Sequence, residues 1–219
     1  MVHIKAALQL NARSPEARLM LGQLLLDAGR AESAELELRK ALESKPDLAS
    51  AKPALARSLV LQRKYQKALD EFEKFESADL GAKADVLVSL AKSRAGLGQY
   101  DVAKRLVDQA LGLQPNHIPA MLTGARLAAI DGGLDAGLKL IDSALQAEPK
   151  NAEAWLLRGD FLLYGRRDLG EAERAYQKVL EILPQSDSAV YLTASSAIIS
   201  MALQRGDTAA AKQQFSPMQ

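Results

Sequence analysis

Five small residues, Gly22, Ala56, Ala91, Ala125 and Gly159, stand 34, 35, 34 and 34 positions apart along the 219-residue chain. A second row, Ala34, Ala68, Ala103, Gly137 and Ala172, keeps the same step, as does a third, Ala7, Ala41, Phe75, Ala110, Ala144 and Val179. Three rows with one period admit only a repeat architecture. Each period is one supersecondary unit that cannot bury its apolar face alone, so neighbours must stack to bury it together. Pro46, Pro115, Pro149 and Pro184 fall at unit ends, with Ala12 and Leu80 in the equivalent slots. The 35-residue steps require two single-residue insertions, one near Lys83 and one in the turn from Gly165 to Gly170.

Composition selects the kind of unit. Alanine and leucine dominate the apolar residues and aromatics make up 5% of the chain, which favours close-packed helices over sheets rich in β-branched and aromatic residues. Each unit is therefore expected to be a helical hairpin, in which the small residue on one helix admits a large one from the other. The units run 15–48, 49–82, 84–117, 118–151 and 152–186, preceded by the tail of a truncated repeat at 1–14 and followed by a partial sixth unit at 187–219. Ile4, Ala7 and Leu8 match the end of a second helix. Gly206, Ala211 and Phe215 match a sixth turn and second helix after a longer first helix from about Ser188. These ends predict a piece of a longer array, with open repeat faces through which copies self-associate. Ser14 before Pro15 and Asn151 before Ala152 read as N-caps. Gly29, Gly98 and Gly132-Gly133 read as hairpin turns, and Pro53 falls in a first helical turn, where a missing N–H costs little.

Several function classes are excluded at this level. With 28 Lys and Arg against 27 Asp and Glu, the net charge of +1 gives no global attraction for nucleic acid or anionic lipid. No cysteine and only His3 and His117 exclude disulfides and thiolate or histidine-rich metal sites. No apolar run approaches the roughly 18 residues of a membrane span, and no signal peptide opens the sequence. Gly96-Leu97-Gly98 lies between two helices and lacks the strand a nucleotide-binding fingerprint needs, so it reads as a turn. His117 reads as a loop residue without metal partners. Glu35 and Arg39, at i and i+4, read as a surface ion pair contributing about 0.3 kcal/mol. No cofactor, metal or catalytic residue is expected, and an enzyme is not.

The fifth unit, with Trp155, Gly159, Leu162, Ala172, Tyr176 and Pro184, resembles the tetratricopeptide repeat, Arg158 replacing its usual leucine. In the first unit Leu21, Gly22, Leu25, Ala34, Leu38 and Pro46 carry the same resemblance. It implies an all-α, right-handed α-solenoid of stacked antiparallel helix pairs whose first helices line a concave groove. The family's groove offsets, carried over, give Gln23, Arg57, Lys92, Arg126 and Asp160 as a polar stripe. One turn earlier they give Leu19, Pro53, Val88, Leu122 and Leu156, and one turn later Leu26, Val60, Ala95, Ala129 and Leu163, as apolar walls. Tyr164 and Trp155 are candidate anchors, Trp155 more consistent with a core slot. Such a groove takes a protein or peptide ligand, the cations pairing with carboxylates or backbone carbonyls. The carboxylate clamp of chaperone-binding members is not matched, since Gln23 and Arg57 stand where clamp asparagines or lysines are expected.

Three stretches, Ser14 to Gly22, Glu35 to Leu42 and Asn151 to Asp160, resemble the tetratricopeptide lipoproteins of exosortase (PEP-CTERM) and exopolysaccharide systems. That resemblance implies a longer, envelope-anchored periplasmic parent that assists polysaccharide or surface-protein export; without it, a cytoplasmic location is expected. A scaffold binding protein is the first functional reading. A carbohydrate-binding module, or a spacer that self-associates, is the alternative.

Overall fold

A computed structural model of the chain describes residues 14–184 and 188–215. Among them are twelve α-helices, one π-helical turn and no strand. The helices are α1 (Pro15–Asp27), α2 (Ala31–Ser44), α3 (Ala51–Leu61), α4 (Tyr65–Phe72), α5 (Leu80–Gly96), α6 (Tyr100–Leu113), α7 (Ile118–Ile130), α8 (Leu134–Ala147), α9 (Ala152–Asp160), α10 (Leu169–Ile182), α11 (Ala189–Gln204) and α12 (Thr208–Phe215), with the π-turn Phe161–Arg166 after α9. The chain divides into two compact bodies between Thr123 and Gly124. The matches of Ile4, Ala7 and Leu8 lie outside the described residues.

Local chemistry sets the helix starts. Ser14 accepts the Ala17 N–H at 3.2 Å with Pro15 as the first helical residue, and Asn151 accepts the Ala154 N–H at 2.9 Å. Ser188 caps α11 in the same way. The hairpin turns share one solution: Gly29, Gly98, Gly132 and Gly206 take left-handed φ of +70°, +76°, +73° and +77°. Arg63 and Arg167 occupy the same turn position at +57° and +55°, where a side chain is strained.

First helices pack on their own second helices in the pairs α1–α2, α3–α4, α5–α6, α9–α10 and α11–α12, and second helices on the next first helix in α2–α3, α4–α5, α8–α9 and α10–α11. In the first body α1 also touches α3, and α3 touches α5; in the second, α9 touches α11. The small-against-large rule accounts for the closeness. A Cβ on Gly22 would stand 2.7 Å from Leu38, and one on Gly159 would stand 2.4 Å from the Tyr176 ring. Leu38, Phe72, Val107, Ile141 and Tyr176, the large partners of successive units, are all buried.

Two irregularities depart from the period. Four of the second helices, α2, α6, α8 and α10, have 14 residues, but α4 has 8. Phe75, expected on that helix, therefore lies beyond its end. Asp79 accepts the N–H groups of Gly81 and Ala82 at 2.9 and 3.2 Å, so this cap starts α5 at Leu80, four residues before the Ala84 at which the spacing begins the third unit. The second insertion, expected in the Gly165 to Gly170 turn, falls where that turn overlaps the end of the preceding helix at Gly165 and Arg166. It is absorbed by the π-turn Phe161–Arg166, the usual way a helix takes in an extra residue.

Candidate functional site

In the first body Gln23 on α1, Arg57 on α3 and Lys92 on α5 are exposed on three neighbouring first helices. Arg57 pairs with Asp27 at 3.6 Å, both side chains well exposed. In the second body Arg126 is exposed and pairs with Glu153 at 3.1 Å. Exposed pairs of this kind contribute between nothing and about 1 kcal/mol, so a ligand carboxylate can displace the internal acid at little cost.

Asp160 has another role. It is half-buried and accepts a hydrogen bond of 2.9 Å from the Tyr176 hydroxyl, whose ring is fully buried. Burial pushes the Asp160 carboxyl up, while the Tyr176 hydroxyl and Arg126 pull against that shift. Burial raises the Tyr176 phenol far more, with the Asp160 charge adding to it. Asp160 thus satisfies the polar tip of a core tyrosine.

The residues expected as apolar walls differ in burial. Leu19, Pro53, Val88, Leu122 and Leu26 are buried, because offsets of four residues back and three forward both rotate the side chain by roughly 40–60° to one side of the exposed slot, toward the adjacent helix. They lie beside the polar slots, on the side of each helix that meets its neighbour. Leu156, Val60, Ala95 and Leu163 remain half-buried, and Ala129 is exposed. Tyr164 is 76% exposed on the π-turn. Trp155 is half-buried, packs against the core of the second body and donates its indole N–H to the Pro149 carbonyl at 2.9 Å.

Glu35 is not one half of a simple surface pair. Its side chain is 10% exposed and meets Arg39 at 2.9 Å, Lys64 at 2.9 Å and Lys67 at 3.0 Å, with the Gln62 amide at 3.0 Å. Burial alone would raise its carboxyl, but the hydrogen bonds from Lys64, Lys67 and Arg39 outweigh that and hold it far below the usual range. A signal for this cluster exists in the sequence: Lys64 and Lys67 follow Glu35 by close to one period. His117 also has a partner, with Nε2 3.1 Å from Asp85. Among the described residues no group of three or more His, Asp or Glu side chains could hold a metal ion, and no helix is long and apolar enough to cross a membrane.

Family models of the tetratricopeptide repeat match residues 1–58 and 122–187. Anaphase-promoting complex subunit 7 of Mus musculus is 26% identical over 185 residues, 84% of this chain and 32% of that protein. Interferon-induced protein with tetratricopeptide repeats 3 of the same species is 28% identical over 145 residues, 65% of this chain and 36% of that one. The chain thus spans about a third of the length of these relatives. Among solved structures, TTC0263, a thermophilic tetratricopeptide protein of Thermus thermophilus, superposes with a TM-score of 0.68 at 20% identity, covering 85% of this chain and all of that one. The Cut9–Hcn1 hetero-tetramer of the anaphase-promoting complex gives 0.69 at 14% identity over 98% of this chain and 41% of that one. These likenesses establish the fold.

Proposed function

We propose a function from the premise that the chain is a tetratricopeptide-repeat protein: it is a non-enzymatic scaffold that binds a protein or peptide through the polar slots of its first helices. Repeats of this fold are generally interaction scaffolds. The observation that carries the reading is the slot shared by Gln23, Arg57 and Lys92, exposed and polar on neighbouring helices beside the buried Leu19, Pro53 and Val88. Arg126 holds the same slot in the second body. An acidic ligand side chain would take the place of Asp27 on Arg57 in the first body, or of Glu153 on Arg126 in the second. Tyr164 and the half-buried Leu156 supply apolar contact there, and Asp160 contributes by holding Tyr176 in place.

The finer reading is a component of a bacterial envelope system for polysaccharide or surface-protein export. Its support is the wording of residues 14–22, 35–42 and 151–160. Capture from cognate extract, comparing the wild type with the folded triple variant Arg57→Glu, Lys92→Glu and Arg126→Glu, tests both levels. Loss of a specific protein from the variant supports slot recognition, and its identity decides the pathway. Unchanged capture removes the cationic slots from the reading. The exposed Tyr164 ring gives the carbohydrate alternative its one point of support, and glycan titration of the wild type and Tyr164→Ala tests it.

A further inference from the structure

The early end of α4 leaves a cavity of about 400 Å³ between α4, α5 and α6, within the size range of ligand sites. Its floor is the first body's core, where Phe72, Val86 and Leu90 are buried, and its walls include the half-buried Phe75, Leu87 and Leu106. The rim is charged and asymmetric. Lys83 and Arg94 are held close, with side chains 29% and 23% exposed, while their acid partners Glu76 and Glu73 are 78% and 60% exposed. Arg94 is further anchored by the Gln99 side chain at 2.7 Å, and the Lys52 ammonium lies 5.8 Å from the Phe75 ring centroid. The cations are thus the fixed halves of these pairs, and the carboxylates are the halves that water can take back.

We infer that this cavity is a binding site for a small anionic amphiphile, its apolar tail against Phe72, Phe75 and Leu106 and its carboxylate on Arg94 or Lys83. Seating the head exchanges one charge-assisted hydrogen bond for another, since a displaced Glu73 or Glu76 returns to solvent where it already largely stands. The net drive is then burial of the tail. The site is separate from the first-helix slots and depends on none of their residues.

Gly112 provides the decisive variant. It lines the cavity from α6, and a Cβ built there meets nothing within 4 Å, so Gly112→Phe fills the space from a helical position where leaving glycine is itself favourable. The probe is sodium octanoate below its micellar concentration, titrated calorimetrically, with 1-octanol as the uncharged comparator. We expect one saturable site, octanoate binding about tenfold more tightly than octanol. The double variant Lys83→Met with Arg94→Met should bring octanoate down to the level of octanol and leave octanol unchanged. Gly112→Phe should abolish both while melting no lower than the wild type. Equal binding of octanol and octanoate overturns the anionic assignment. Retained binding by folded Gly112→Phe, or no saturable binding by the wild type, overturns the site.

Discussion

Glu35 shows what a repeat does to a single charge. The next unit brings Lys64 and Lys67 onto a carboxylate already held by Arg39, and the group becomes the polar centre of a unit junction. Breaking a largely buried, multiply hydrogen-bonded charge leaves its partners unpaired; with the cations half in water, Glu35→Gln should cost about 1–3 kcal/mol at neutral pH. The sign with pH follows from the lowered carboxyl. Its stabilisation is complete above the unfolded value of about 4.3 and drains away as pH falls from there toward the folded value. Urea midpoints of wild type and Glu35→Gln should therefore converge on acidification; a gap that stays constant down to about pH 3 would place the stabilisation elsewhere. Arg63 and Arg167 pose the opposite case, side chains in a left-handed turn that four units assign to glycine. Arg63→Gly should relieve strain in excess of glycine's entropic cost and stabilise by about 0.5–1 kcal/mol. A melting temperature that does not rise would show that the Arg63 side chain offsets its own strain.

At the scale of the helix, glycines that look alike in sequence do different work. Gly159 faces the fully buried Tyr176 ring, 2.4 Å from where a Cβ would stand, whereas the nearest atom to a Cβ on Gly170 is 3.8 Å away. Gly159→Ala should cost about 1–2 kcal/mol by overpacking a ring that cannot retreat, while Gly170→Ala should gain about 0.5–1 kcal/mol of helix propensity. Opposite shifts in denaturant midpoint from one chemical change would confirm that interhelical distance sets the sign. Helix pairing, the Ser14 and Asn151 caps and the glycine turns are legible in the sequence because each repeats a local chemistry at a fixed step. The short α4 and the π-turn are not. Both arise from competition between neighbouring signals: Asp79 caps a helix earlier than the period allows, and one extra residue is absorbed in the helical turn Phe161–Arg166. The burial of Leu19, Val88 and Leu122 is not legible in the sequence, because residues four apart share a face only to within about 40° and the neighbouring helix decides which of them it covers.

On the scale of the whole array, one slot records how junctions are built. Glu35, Leu69, Lys104, Leu138 and Glu173 are equivalent; Leu69 and Leu138 are buried, while Glu173 is gripped by Arg205 at 2.6 and 2.9 Å as Glu35 is by its lysines. The same junction position is thus made apolar in some units and ionic in others, and each choice concerns adjacent units alone. Stability in such a chain is a sum of unit and nearest-neighbour terms, so damage should stay local. Leu38 is fully buried in the first body, and the single tryptophan of the sequence, Trp155, lies in the second. Leu38→Ala should remove about 2–5 kcal/mol from its own surroundings. Circular dichroism should then acquire an early phase in denaturant while the Trp155 fluorescence midpoint holds its wild-type value. If both signals move together, coupling between units exceeds the cost of the cavity and the chain unfolds as one cooperative block.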